Sequence, residues 1–175
     1  GAGFVRSLQA DATLSAAGRS VLILGSGGAA RAIAMTLAHE GAARIIISNR
    51  TAAKARALAR AVNQEGRACC EALALQPGPL ASALRDCDIL VNTTPVGMHP
   101  DSGRAPIDAA LLHPPLVVCD IVYNPRRTRL LEAARHKGCR IVEGIGMLVY
   151  QGAAGFRLWT GREAPIEAMF AAVGP

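Results

Sequence analysis

Apolar residues in this chain fall into short unbroken runs, separated by stretches where they recur every three to four positions. The first run, Ser20-Val21-Leu22-Ile23-Leu24, is closed by glycines and reads as a buried strand. Ala30, Ile33, Ala34, Leu37 and Ala38 then repeat at helical spacing, and Gly41 supplies the stop. Arg44-Ile45-Ile46-Ile47-Ser48 predicts a second strand, and Ala55, Leu58, Ala59 and Val62 mark one face of a second helix. Around Gly66 the pattern loosens, with a short third strand over 68–71. Asp88-Ile89-Leu90-Val91-Asn92, Leu116-Val117-Val118-Cys119-Asp120 and Arg140-Ile141-Val142-Glu143 predict three more strands. A helix over about 128–137 precedes the last of these and ends at Gly138, while Gln76-Pro77-Gly78-Pro79 reads as a turn. The tail, about 147–175, predicts two amphipathic helices. One carries Leu148, Gly152, Gly155, Phe156 and Trp159 along a stripe, the other Ile166, Met169, Phe170 and Val173.

Strands that are apolar throughout, alternating with helices, imply a parallel sheet covered on both faces. With right-handed crossovers the expected fold is α/β: a doubly wound, mainly parallel six-stranded sheet of Rossmann type, with C-terminal helices. A length of 175 residues suits one domain over 1–175, with about 1–18 as a leading helix or linker. Aromatic residues are only 3% of the chain, so Ala, Val, Ile and Leu must build the core, and a stacking platform for RNA bases is disfavoured. No apolar run approaches the about 20 residues of a membrane span. The five cysteines show no CxxC spacing and the four histidines stand apart, so neither a disulfide framework nor a metal site is expected. Buried thiols in a reducing cytoplasm fit better. The net charge of +6 comes from scattered residues, densest at Arg126, Arg127 and Arg129. A solvated basic face is the first reading, an anionic small ligand the second, and nucleic acid a distant third.

Directly after the first strand stands Gly25-Ser26-Gly27-Gly28-Ala29-Ala30, a GxGxxA pattern. Such a turn lets backbone approach a pyrophosphate, because a Cβ at the first two glycines would clash. The following helix aims its N-terminal amides and positive dipole end at the same phosphates. Its position between a buried strand and an apolar helix is the context this motif requires. At the end of the second strand, an NAD-binding domain usually places an Asp or Glu against the ribose 2′-hydroxyl. Here the chain reads Asn49-Arg50-Thr51, with Lys54 one helical turn on. A carboxylate would repel a 2′-phosphate, whereas a guanidinium binds it through charge-assisted bonds. Thr51 is placed to cap the next helix and to donate a hydroxyl; Lys54 is either a second cation for the phosphate or a solvated helix residue. NADP(H) is therefore expected over NAD(H).

Further segments follow in order: Asn92-Thr93-Thr94-Pro95-Val96-Gly97-Met98, Asp120-Ile121-Val122-Tyr123-Asn124-Pro125, Gly144-Ile145-Gly146-Met147-Leu148 with Gln151, and Trp159-Thr160-Gly161. Together with the glycine turn and the Asn49–Lys54 segment, they resemble the cofactor-binding domain of the shikimate dehydrogenase family. The resemblance implies reversible hydride transfer between NADPH and the C3 carbonyl of 3-dehydroshikimate, giving shikimate, within aromatic amino-acid biosynthesis. It implies that Thr94 and Val96 line the cofactor's path and that Ile121 contacts the nicotinamide. Gly144 would leave space for the nicotinamide amide to meet backbone, and Met147 would pack on the ring. Tyr123 and Gln151 would reach the substrate.

In that family a Lys–Asp pair on an N-terminal substrate domain handles the proton. This chain opens at Gly1-Ala2-Gly3-Phe4, without an initiating methionine, just downstream of where the family's Asn-Thr-Asp-Gly run would sit. Lys54, Lys137, Asp11 and Asp120 do not match the pair, so no catalytic residue is expected in this chain. The expectation is a cytoplasmic enzyme part without a secretory leader, either cut from a longer polypeptide or completed in trans, whose partners are shikimate or 3-dehydroshikimate and the missing substrate domain, with no nucleic acid and no membrane. If the C-terminal helices normally pack on that domain, Leu148, Phe156 and Trp159 would form an exposed patch able to drive self-association, a homodimer included. Two other readings stand beside this one: a quinate/shikimate dehydrogenase, and a non-catalytic NADP(H)-binding regulatory module.

Overall fold

The computed structural model describes residues 1–65 and 67–174, so the loosened pattern at Gly66 lies outside the described residues. All six expected strands form: β1 (Ser20–Leu24), β2 (Arg44–Asn49), β3 (Cys69–Ala74), β4 (Ile89–Asn92), β5 (Val117–Asp120) and β6 (Arg140–Val142). They pair in parallel in the order β3-β2-β1-β4-β5-β6. The order reverses beside β1, which creates the crevice between β1 and β4 that ligands use in doubly wound sheets.

The register explains why the strands are apolar throughout. Val21 and Ile23 point to one face with Ile45, Ile47, Ile89 and Val91, beneath α1 (Ala2–Ala12), α2 (Gly28–His39) and α3 (Ala52–Gln64). Leu22 and Leu24 point to the other with Ile46, Leu90 and Val118, beneath α4 (Pro77–Arg85), a 3₁₀ turn at Ala109–Leu111, and α5 (Arg129–His136). Alternate residues thus enter two different cores. Each buried Val, Leu or Ile contributes about 1.5–3 kcal/mol of transfer free energy.

Three expectations need correction. Gln76-Pro77-Gly78-Pro79 is not a free turn: Gln76 is the N-cap of α4, and Leu80, Ala83 and Leu84 form its buried face. Proline in a first helical turn loses no hydrogen bond, because that N–H has no intrahelical partner in any case. The C-terminal helices begin earlier than 147, since α6 runs Gly144–Thr160, and α7 covers Ile166–Ala172. The buried stripe of α6 is Ile145, Val149 and Ala153, while Leu158 and Trp159 are 82% and 85% exposed. The displaced stripe has a physical cause. Helix α6 packs against α1, which is no loose linker: Phe4 and Leu8 are buried in the first core. Tyr150 ties α6 to its surroundings by an edge-on contact with Phe170 of α7 and by the Arg6 guanidinium over its ring.

The five cysteines are free thiols. Burial pushes the Cys70 thiol up to about 12, so it holds its proton and is a poor nucleophile. Among the described residues no helix is long and apolar enough to cross a membrane, and no cluster of His, Cys, Asp or Glu could hold a metal.

Candidate functional site

The segments that leave β1, β2 and β4 converge at the carboxyl edge of the sheet around a cleft of about 480 Å³. Gly25, Ser26 and Gly27 line it after β1, Asn49, Arg50 and Thr51 after β2, Lys54 from the first turn of α3, and Thr94 and Val96 after β4. A recess of about 360 Å³ adjoins it through Ser26, Gly27 and Lys54, and adds Gly28 and Arg31. Another of about 420 Å³ adjoins it through Thr93, Thr94 and Pro95, and adds Ile121 and Tyr123. The three form one trough along the edge.

The glycines divide their labour. Gly25 is buried with φ +108°, a left-handed conformation that L side chains rarely adopt, and a Cβ there would press on Thr93 Oγ1. Its backbone N–H donates to the Ser48 carbonyl at 2.7 Å, which closes the turn against β2. At Gly27 and Gly28, by contrast, nothing stands within 4 Å of an added Cβ. That open space lies at the N-terminus of α2, where unpaired amides and the positive dipole end face outward. Ala29 and the buried Ala30 carry the chain into the helix. The clash anticipated at Gly25 is therefore with protein, whereas at Gly27 the room is left for something external.

Arg50 and Lys54 are exposed and, among the described residues, neither has an ion-pair or hydrogen-bond partner. Thr51 occupies the N-cap position of α3 but makes no capping bond; the Asn49 amide donates instead to the Thr51 carbonyl at 3.1 Å. The Thr51 hydroxyl is thus left unspent, contrary to the expected cap. The Ser48 hydroxyl is buried in the cleft wall and, among the described residues, has no hydrogen-bond partner.

Beyond β4 the site is held by buried polar groups. Asn92 Oδ1 accepts from the Thr94 amide at 3.0 Å and from Thr94 Oγ1 at 2.7 Å, so Thr94 shapes its own turn. Thr93 Oγ1 donates to the Leu24 carbonyl at 2.6 Å, joining the turn to β1. Asn92 Nδ2 donates across to Asp120 Oδ1 at 3.0 Å. Burial pushes the Asp120 carboxyl up to about 6, against the opposing pull of three hydrogen-bond donors.

Gly144, Met147 and Gln151 are not among the residues lining the trough. A Cβ at Gly144 would stand 2.5 Å from the Val122 carbonyl oxygen, so the missing side chain lets α6 start hard against the end of β5. Met147 is half-buried and packs with Ile121 on the first core, and Gln151 is exposed on α6. Glu143, the N-cap of α6, pairs with Arg126 and Arg127 and so ties the loop after β5 to that helix. Asp11 lies on α1, where its carboxylate accepts from Ser7 and burial raises its pKa.

Sequence reasoning passed over Thr93, Ser48, Arg31 and the Arg104–Pro106 segment as lining residues. The paired threonines and the serine at a strand end carried a local signal. Arg104 carried none, because a loop outside any periodic element brings it to the cleft.

The class that this topology and edge cleft define is the Rossmann-type α/β domain. The family model described as Shikimate / quinate 5-dehydrogenase matches residues 8–126, and that described as Shikimate 5′-dehydrogenase C-terminal domain matches 144–173. The chain belongs to the shikimate/quinate 5-dehydrogenase family. It is 47% identical to the shikimate dehydrogenase (NADP(+)) of Methanopyrus kandleri, over 99% of this chain and 60% of that protein. Among solved structures it resembles shikimate 5-dehydrogenase from Listeria monocytogenes in complex with shikimate and NAD, with TM-score 0.92, 33% identity, and 98% of this chain and 61% of that one covered. It also resembles shikimate 5-dehydrogenase from Thermus thermophilus in complex with NADP(H) and shikimate, with TM-score 0.84, 35% identity, and coverage of 98% and 60%. The chain thus spans about 60% of the length of the curated relatives it matches.

Proposed function

We propose that residues 1–175 are the NADP(H)-binding domain of a shikimate dehydrogenase and serve the reversible, NADPH-dependent reduction of 3-dehydroshikimate to shikimate. The observation that carries this reading is the pair Arg50 and Lys54, two exposed cations without side-chain partners among the described residues, beside the open glycine cradle. The residues present fit a dinucleotide phosphate: free amides at α2, room at Gly27 and Gly28, and no carboxylate at the tip of β2.

Ser26, Gly27, Gly28 and Ala29 hold the diphosphate on backbone amides, while Gly25, whose N–H is spent on the Ser48 carbonyl, shapes the turn that presents them. Asn49, Arg50, Thr51 and Lys54 bind the 2′-phosphate, with the guanidinium supplying directional charge-assisted bonds and the ammonium a point charge. Thr94 and Val96 flank the path towards the third recess. There Ile121 meets the nicotinamide and the Tyr123 hydroxyl the substrate; Gly144, Met147 and Gln151 lie outside the lining of the trough, and their roles towards nicotinamide and substrate rest on the family resemblance. The cofactor supplies the hydride when bound. The chain's residues orient it and exclude water from one side. The acid–base pair is assigned to a substrate domain in the part of the family's length that this chain does not span. Asp120 does not serve as that acid, since all three of its hydrogen bonds hold backbone and side chains of its own fold.

The exposed Leu158–Trp159 end of α6 is the proposed seat of that domain, with self-association, as in a homodimer, when it is missing. A cytoplasmic location rests on the family alone. Calorimetric titration of the chain tests the cofactor: NADPH should bind at least tenfold more tightly than NADH. Equal affinities, or no binding of either, overturn the reading. Steady-state rates with shikimate and quinate, measured on the polypeptide carrying the substrate domain, decide between the family's two acids.

A further inference from the structure

We propose that Asp120 is a positioning residue for the nicotinamide end of the trough, bolting together the turn after β4 and the loop after β5 that form the two walls of the third recess. The inference rests on the cofactor reading above.

Asp120 ends β5 and is 2% exposed. Its Oδ1 accepts from Asn92 Nδ2 at 3.0 Å and from the Val122 amide at 3.0 Å, while Oδ2 accepts from Thr128 Oγ1 at 2.7 Å. Each donor fixes a different segment. Asn92 ends β4, and its remaining oxygen takes both the amide and the hydroxyl of Thr94. Val122 sits between Ile121 and Tyr123. Thr128 is the N-cap of α5, whose hydroxyl also accepts from the Leu131 amide at 3.3 Å. One carboxylate therefore sets the separation between Thr94 on one wall and Ile121 and Tyr123 on the other.

Stability does not explain a carboxylate here. No cation pairs with it among the described residues, and an uncompensated buried charge is costly where an apolar side chain would pack. What the carboxylate provides is direction: two oxygens with several lone pairs can meet three donors arriving from three elements, which no apolar residue can do. A fully satisfied buried network has one low-energy arrangement, and that rigidity passes to the two walls. The 2′-phosphate end is built from the tips of β1 and β2 and the first turns of α2 and α3, which supply no donor to Asp120, while Thr94 and Val96, held by the Asn92 side chain, border the cleft on the side towards the third recess.

That separation makes the proposal testable on the chain itself. The probes are NADPH, which fills both ends of the trough, and 2′,5′-ADP, which lacks the nicotinamide half. Asp120→Asn puts an amide donor where a donor must be met; Thr128→Val removes one donor at equal size and serves if the first variant does not fold. For whichever variant folds, 2′,5′-ADP affinity should stay within twofold of the unsubstituted chain. NADPH affinity should fall at least tenfold in Asp120→Asn and at least threefold in Thr128→Val, with loss of the fluorescence gain of the reduced nicotinamide on binding. A parallel fall for both probes would mark a merely structural residue and overturn the proposal, as would unchanged NADPH binding. If the unsubstituted chain binds neither probe, the cofactor reading fails first and takes this inference with it.

Discussion

Gly3 and Gln151 meet backbone to backbone where α1 crosses α6: a Cβ added at Gly3 would stand 2.7 Å from the Gln151 nitrogen and 2.9 Å from the Met147 carbonyl oxygen. The crossing seats Met147 and Gln151, the two α6 residues given proposed roles above. Alanine has the higher helix propensity by about 1 kcal/mol, but here its methyl group meets backbone, which cannot swing aside. Gly3→Ala should lower stability by about 1–3 kcal/mol, as overpacked sites do. A fall in the urea midpoint at unchanged slope is the expected result; an unchanged midpoint would show that α1 can lift off α6 at no cost.

At Gly27 the opposite outcome is expected. Its backbone has φ −80°, which any residue tolerates, and it is the N-cap of α2, where Asp is preferred. Gly27→Asp should therefore leave folding stability unchanged or raise it by a few tenths of a kcal/mol. Yet the new carboxylate fills the open cradle and repels phosphate, so NADPH binding should weaken by more than tenfold. Thermal unfolding and calorimetric titration of one preparation check both halves.

Arg50→Ala should weaken NADPH by roughly 1–3 kcal/mol, the scale of a lost charge-assisted hydrogen bond, and leave NADH nearly untouched. Equal losses for both nucleotides in calorimetry would remove Arg50 from the 2′-phosphate. Raising the salt concentration should erode the NADPH preference, because the site is exposed and screened.

Stability should also carry the signature of Asp120. Its native pKa of about 6 lies above the ordinary carboxyl value of 3.8. Between the two, the native state keeps a proton that the unfolded chain has released. Stability attributable to this group is therefore highest below about pH 4 and falls as pH rises through 6, by about 3 kcal/mol in all at 1.36 kcal/mol per unit. Denaturation midpoints for the parent and Asp120→Asn between pH 4 and 7 should show the parent's advantage narrowing over that window. A constant difference would place the Asp120 pKa near its ordinary value.

Much of this was legible along the chain. The strands could be read because a parallel strand buried on both faces must be apolar at every position, so Ile45, Ile46 and Ile47 announce β2 without reference to any partner. The glycine turn was legible because strand, tight turn and helix are consecutive, and the tip of β2 because its charge reads directly as Asn49-Arg50-Thr51. Helix α4 was hidden by Pro77, Gly78 and Pro79, since the same residues begin a helix or make a turn according to what packs on Leu80 and Leu84.

What the amino-acid order determined by itself is therefore the set of local elements, their alternation, and the glycine turn, proposed above to hold phosphate, carried on one continuous strand–turn–helix unit. Tertiary structure alone decided which face of α6 is buried, because α1, from the opposite end of the chain, selects Ile145, Val149 and Ala153 over the Trp159 stripe. It alone joined Asn92, Asp120 and Thr128, whose three backbones lie on separate elements. Periodicity records what each segment needs from its surroundings, but hydrogen bonds between segments depend on distances that exist only once the sheet has closed its register.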